Sequence, residues 1–220
     1  MEASWDGFTY LVEDMTFQWH INNGLSEPYP RELNIVKKYV TEYPSCNNIA
    51  IDVGGHIGST SLPYSRLFTE VIAFEPNPIS YNLFKKNIQL NNVQNITLYN
   101  TGVYNKSTCC TIIHHGSNSG CYYIQECKKS ENAISVVKLD DLTYDRPVDF
   151  IKIDTEGSEI FVLEGAYNVL SENKPLLNIE TNNCSERFFG YNKERIFEFL
   201  KSLEYKVLDD DGNNPFFYCK

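Results

Sequence analysis

The stretch from Asn48 to Ser61, NIAIDVGGHIGSTS, constrains this chain more than any other. Ile49, Ala50, Ile51 and Val53 form a short apolar run suited to a strand buried on both faces, and Asp52 interrupts it near its end. Gly54, Gly55 and Gly58 then supply a tight turn where a ligand can approach the backbone, while Ser59, Thr60 and Ser61 sit where a helix begins. Strand, glycine loop and helix in that order predict an α/β fold with a cradle for a nucleotide-like cofactor.

Charge selects among cofactors. Loops that hold a pyrophosphate or triphosphate leave neutral glycines, and often a lysine, facing it. No glycine-lysine pair occurs here, and Asp52 stands immediately before the loop, an arrangement that repels phosphate and suits a cation. S-adenosylmethionine has no phosphate and carries a positive amino group and a positive sulfonium. The next expected strand, Val71 to Phe74, ends in Glu75, placed to accept both ribose hydroxyls. Pro76, Asn77 and Pro78 then turn into a helix reaching about Asn91, and after a strand over Ile96 to Tyr99 the backbone at Thr101 and Gly102 is expected to meet an adenine ring. Together these favour S-adenosylmethionine over NAD.

At 220 residues and 42% hydrophobic, the chain can bury one sizeable core, and residues 1–220 are expected to form a single domain with 1–45 as an N-terminal lid or substrate-side extension. A net charge of -10 disfavours a nucleic-acid partner, whose affinity comes from clustered Lys and Arg. The seven cysteines contain no CxxC pair and read as free thiols. With no basic segment followed by an apolar stretch at the N-terminus, and no membrane-spanning run, a soluble, cytoplasmic location is expected, and the sequons at Asn95, Asn105 and Asn183 read as chance.

In the N-terminal part, Trp5, Phe8, Tyr10, Val12, Met15, Phe17, Trp19 and Ile21 partly alternate and predict two short strands with a turn near Glu13 and Asp14. Trp19 and His20 are candidates for the substrate mouth. A helix is expected over roughly Arg31 to Tyr43, and antiparallel strands within 107–139, inserted between two βα units. His114 and His115 are adjacent there and face opposite sides of a strand, so they read as surface or loop residues.

The second chemical centre is VDFIKIDTEGSEIFVLEGA, residues 148–166. A buried strand ends at Asp154, and Glu156 and Glu159 are expected in the first turn of the following helix, where its dipole favours acids. Pro175 to Ile179 likewise leads to Glu180, so two adjacent strands each deliver a carboxylate to the sheet edge where open α/β sheets place ligands. A helix over Asn192 to Leu203 and strands over Tyr205 to Leu208 and Pro215 to Cys219 are expected to complete the sheet's antiparallel end.

The motifs IDVGGHIGSTSL, VIAFEPNP, VVKLDDL, VDFIKIDTEGSEIFVLEGA and LLNIET, in this order, closely resemble the FkbM-type S-adenosylmethionine-dependent methyltransferases, and the short acidic form resembles the glycan-modifying members of large algal viruses. The resemblance implies a class I methyltransferase fold, Rossmann-like, with a seven-stranded, mostly parallel sheet, one antiparallel strand and helices on both faces. It also implies O-methylation of a carbohydrate acceptor, a deoxysugar such as rhamnose in the viral members. Asp52, Gly54, Gly55, Gly58 and Glu75 then hold the cofactor, with His56, Ser59, Pro76, Asn77, Thr101 and Gly102 beside them. Because a sugar hydroxyl is a weak acid, its proton needs help to leave. Asp154, Glu180 and Asn182 form an all-oxygen set suited to Mg²⁺ or Mn²⁺. A metal-free alternative uses His56 or His20 as base, with Lys152 a further candidate. A non-catalytic cofactor-binding module and an NAD-dependent sugar enzyme are the readings from other classes.

Overall fold

In the computed structural model the described residues are 2–12, 29–115, 121–127 and 133–219. The chain starts with a hairpin, β1 (Glu2–Trp5) and β2 (Phe8–Leu11). Its turn falls at Asp6 and Gly7, which both have positive φ; the turn expected near Glu13 and Asp14 lies outside the described residues. Asp-Gly is a strong two-residue hairpin signal, and it outweighs the longer aromatic alternation. The expected second strand, like Trp19 and His20, lies outside the described residues.

A seven-stranded sheet forms the centre. Its parallel part comprises β3 (Ile49–Val53), β4 (Glu70–Phe74), β5 (Ile96–Tyr99), β10 (Val148–Ile153) and β11 (Leu176–Ile179). The last two strands, β12 (Lys206–Asp209) and β13 (Phe216–Tyr218), close one end, and the order is β12-β13-β11-β10-β3-β4-β5. β13 runs antiparallel to both of its neighbours, as expected for one reversed strand. After β3 the chain builds outward through β4 to β5, then returns to β10 and builds the other way. The boundary between β3 and β10 is therefore the topological switch point, the crevice where open sheets bind ligands.

Both faces of this sheet are covered, and the period of two sorts the residues. Ile49, Ile51, Val53, Ile151, Ile153, Leu177 and Ile179 share one core cluster with Ile160 and Leu163 of α4 (Glu159–Glu164), Leu170 of α5 (Tyr167–Asn173) and Ile196 and Leu200 of α6 (Lys193–Ser202). Ala50, Val71, Phe150 and Leu176 pack on the opposite face with Leu33 and Val36 of α1 (Pro30–Glu42) and Tyr64 of α2 (Ser61–Tyr64). On this second face Asp52 pairs in register with Lys152, and Lys152 with Asn178, so a polar row crosses three buried strands.

The hairpin packs onto α3 (Pro78–Leu90), where Trp5, Phe8 and Tyr10 join Ile57, Leu62 and Leu83. Asn87 of α3 accepts from the Leu11 amide at 2.7 Å and donates to the Ile57 carbonyl at 2.9 Å, tying the hairpin to the glycine loop. Residues 2–12 are thus packed against α3 beside the glycine loop.

Between β5 and β10 lies a second sheet of β6 (Gly102–Val103), β7 (Thr108–His114), β8 (Tyr122–Glu126) and β9 (Ala133–Val137), in the order β6-β9-β7-β8. Only the β6–β9 pair is parallel. All seven cysteines are free, and among the described residues no helix is long and apolar enough to cross a membrane.

Candidate active site

A cavity of about 230 Å³ opens at the carboxyl ends of β3, β4, β10 and β11. On the β3–β4 side it is lined by Gly54, Gly55, His56, Ser59, Glu75 and Pro76, with Gly102 and Val103 beyond; on the β10–β11 side by Lys152, Asp154, Glu156 and Glu180.

The glycine loop is shaped by what lies beneath it. Gly54 has φ +87°, and a Cβ there would sit 1.8 Å from the Asp154 carbonyl oxygen, so this position accepts no side chain. A Cβ on Gly55 or Gly58 would strike the ring of Phe84, which is fully buried in α3. His56 also has positive φ, which leaves its backbone N–H free to donate to Glu75 Oε2 at 2.8 Å. The other oxygen of Glu75 accepts from the Asn77 amide at 2.8 Å. Burial, with Asp52 and Asp154 adding to it against these amide bonds, raises the Glu75 carboxyl to about 8.

Three residues expected at the cofactor stand behind the cavity wall. Asp52 is fully buried and accepts from Thr60 Oγ1 at 2.7 Å and Ser61 Oγ at 2.6 Å. It holds the start of α2 and does not line the cavity; its other oxygen is unpartnered. Asn77 caps α3, accepting from the Ile79 amide at 2.9 Å. Thr101 is buried and donates to the Ser135 carbonyl at 2.7 Å, joining the two sheets. Each had a structural demand that sequence spacing did not reveal.

On the opposite side Lys152 Nζ lies 2.8 Å from Asp154 Oδ2. Although burial disfavours its charge, Asp154 and Asp52 hold its pKa above the ordinary lysine value, and Lys152 stands as the counter-ion of Asp154. Glu180 is nearly enclosed; burial, with Asp154, Glu156 and Glu159 beside it, raises its pKa well above the usual carboxylate range, and its Oε2 has no hydrogen-bond partner. Burial and the Asp154 charge likewise raise Glu156 to about 7.

The all-oxygen metal set is not assembled. Asn182 does not line the cavity: its Oδ1 accepts from the Cys184 amide at 2.8 Å, and its Nδ2 lies 3.4 Å from Glu156. The ammonium of Lys152 already supplies the positive charge against Asp154. Nor are Glu156 and Glu159 both in a helical turn. Glu156 is in the loop with positive φ, whereas Glu159 opens α4 and folds back to accept from the Thr155 and Gly157 amides at 3.1 and 2.9 Å.

Sequence reasoning missed Tyr29 and Tyr122, which line the cavity from α1's N-cap and from β8. It read His114 and His115 as surface or loop residues, and His115 does follow the end of β7. Adjacent histidines do diverge: His114 is exposed, while His115 turns inward to within 3.5 Å of Glu156.

The family model for the methyltransferase FkbM domain matches residues 52–207, well over half of the chain. "Methyltransferase 1" of Beauveria bassiana is 25% identical over 162 residues, 61% of this chain, and the chain spans 65% of that relative's length. Among solved structures, methyltransferase FkbM from Methylobacillus flagellatus gives a TM-score of 0.58 at 21% identity, covering 79% of this chain and 44% of its own. Magnesium protoporphyrin IX methyltransferase from Synechocystis, solved with bound SAM, gives 0.54 at 11% identity, covering 96% of this chain and 86% of its own. The fold is that of the class I methyltransferases, and with residues 52–207 matched, the chain belongs to the FkbM methyltransferase domain family.

Proposed function

We propose that this chain is an S-adenosylmethionine-dependent O-methyltransferase acting on a hydroxyl of a carbohydrate acceptor. The observation that carries this reading is the two-sided cavity: a shaped backbone loop and Glu75 on one side, a lysine-paired carboxylate with Glu156 and Glu180 on the other.

The residues present fit the donor. Glu75 at the end of β4 suits a ribose diol, and the carboxylates around the cavity favour a ligand with two positive centres. Gly54, Gly55, His56, Ser59, Glu75, Pro76 and Gly102 would hold it. Bound there, the donor supplies a methyl group already activated on a sulfonium sulfur. What the protein adds is alignment and a place for the hydroxyl proton. Asp154 provides that place: Lys152 engages Oδ2, and the carboxylate retains lone pairs for an acceptor hydroxyl. Glu180 lines the same cavity with one oxygen unpartnered, which offers a hydrogen-bonding position to a neutral, polyhydroxylated acceptor. The net charge of -10 weighs against anionic acceptors.

Asn182 turned away and Lys152 bound to Asp154 do not fit a hard divalent cation, so no step runs through Mg²⁺ or Mn²⁺. His56 lines the cavity beside the donor loop and stays there as a contact residue. The open cavity supports this reading over a non-catalytic module, for which a closed cleft with Asp154 and Glu180 both in ion pairs would speak; of the two, Asp154 is paired, with Lys152. The test is mass spectrometry of a panel of glycans with terminal deoxysugars incubated with donor and protein. A mass gain of one methyl group, unaffected by added Mg²⁺ or Mn²⁺, is expected. Donor binding in calorimetry without methylation of any hydroxyl acceptor would overturn the acceptor class, and absence of donor binding would overturn the whole reading.

A further inference from the structure

We infer that His115, Glu156 and Cys184 form a binding site for one borderline-soft divalent transition-metal ion, zinc(II) by its ligand chemistry. It lies at the seam between the inserted sheet and the loops at the carboxyl ends of β10 and β11.

The three ligand atoms lie within 4.8 Å of one another. Glu156 Oε2 is 3.5 Å from His115 Nε2 and 3.3 Å from Cys184 Sγ. Zinc bonds of about 2.0–2.1 Å to nitrogen and oxygen and about 2.3 Å to sulfur make tetrahedral edges of roughly 3.3–3.6 Å, so the trio spans one face of such a site with little movement. Imidazole, thiolate and carboxylate together select zinc over the hard cations that an all-oxygen set prefers. Three protein ligands leave a fourth position for water.

Independent features point the same way. His115 Nε2 is buried and makes no hydrogen bond. Its ring is held by Phe188, centroids 4.7 Å apart, and by Tyr123 at 5.7 Å, so the nitrogen is aimed. Asn182 engages both other ligands from behind, accepting from the Cys184 amide and reaching Glu156, the kind of outer contact that orients metal ligands. Gly157 makes the approach possible: a Cβ there would lie 2.7 Å from the Cys184 carbonyl carbon. Zinc binds cysteine as the thiolate, and a bound cation favours loss of the thiol proton. Coordination therefore expels the thiol proton to solvent while the sulfur–metal bond forms.

Metal-stripped full-length protein titrated with Zn²⁺ in calorimetry should bind one equivalent, with proton release that scales with buffer ionisation heat. Co²⁺ should give a sulfur-to-cobalt charge-transfer band. Cys184→Ser and His115→Gln should each weaken binding by about 100-fold or more, since even outer-shell changes at metal sites cost about 10- to 100-fold. Cys46→Ser, remote from the site, should bind as wild type. His115→Gln removes a nitrogen, Nε2, that makes no hydrogen bond, so it keeps the test valid should Cys184→Ser fail to fold. Absence of stoichiometric binding, or undiminished binding in folded His115→Gln, overturns the site. The readout is metal binding, so the methyl-transfer reading stands or falls separately.

Discussion

The two sides of the cavity carry carboxylates in opposite conditions. On the β3–β4 side the lining acid, Glu75, has each oxygen supplied by a backbone amide, while Asp52 behind the wall accepts two hydroxyls at one oxygen and leaves the other unpartnered. On the β10–β11 side Asp154, Glu156 and Glu180 crowd together around a single ammonium, and one oxygen of Glu180 has no partner. The first side is finished by the fold and needs only to be touched by a ligand. The second is unfinished, and its electrostatics remain open to a proton, a cation or an acceptor's hydroxyls. Rigidity suits donor binding, and this unfilled capacity suits chemistry.

That contrast is most directly broken by removing the ammonium. Lys152→Met should destabilise the fold by about 3–5 kcal/mol, the cost of leaving buried carboxylates without their counter-charge, read as a fall in the denaturation midpoint at unchanged slope. A midpoint within error of wild type would mean that the acids do not depend on Lys152.

Next, Asp154→Asn should lower turnover by on the order of 100-fold or more, with donor affinity within about twofold of wild type. An equal loss in donor affinity would move Asp154 to the donor side. Glu75→Ala should do the reverse, weakening donor binding by about 1–3 kcal/mol for the lost charge-assisted contacts. Asp52→Asn, whose side chain stands behind the wall, should change stability more than donor affinity; calorimetry showing it as damaging to binding as Glu75→Ala would erase the distinction.

The most gradual effect is in pH. The Glu75 carboxyl titrates near 8 in the fold against an ordinary value of 4.5, so between these values the folded state holds more protons than the unfolded one. This contribution is therefore fully present below about pH 4.5 and is lost as pH rises to about 8, at no more than about 1.4 kcal/mol per pH unit. Donor affinity should move oppositely, strengthening as Glu75 ionises. Denaturation and donor titrations at pH 6 and 8, compared with Glu75→Gln, check both signs.

The buried parallel strands were legible because they read as apolar runs, and the runs leading to Glu75, Asp154 and Glu180 became β4, β10 and β11, whereas the order of the strands in the sheet was not written in any one run. The acids at strand ends were equally legible as a group. Their individual duties were not. Asp52 and Asp154 both end apolar runs, yet one side chain falls on the sheet face over α2 and is consumed by hydroxyls, while the other projects into the cavity. Asn182 looked like a third oxygen ligand but is committed to an amide two residues away. Cys184 and His115 were invisible as a pair, because their meeting depends on the inserted sheet folding back against a turn distant in the chain.

Phe84 has a consequence for how this loop can change. Its ring lies 2.8 Å from where a Cβ on Gly55 would sit and 2.4 Å from one on Gly58. Any route that places alanine at 55 must therefore pass first through a smaller residue at 84, whereas at 58 the backbone, with φ +89°, still resists after the ring is gone. The order of acceptable substitutions is dictated from below by a residue that does not line the cavity, and a selection for suppressors of Gly55→Ala should return changes at position 84.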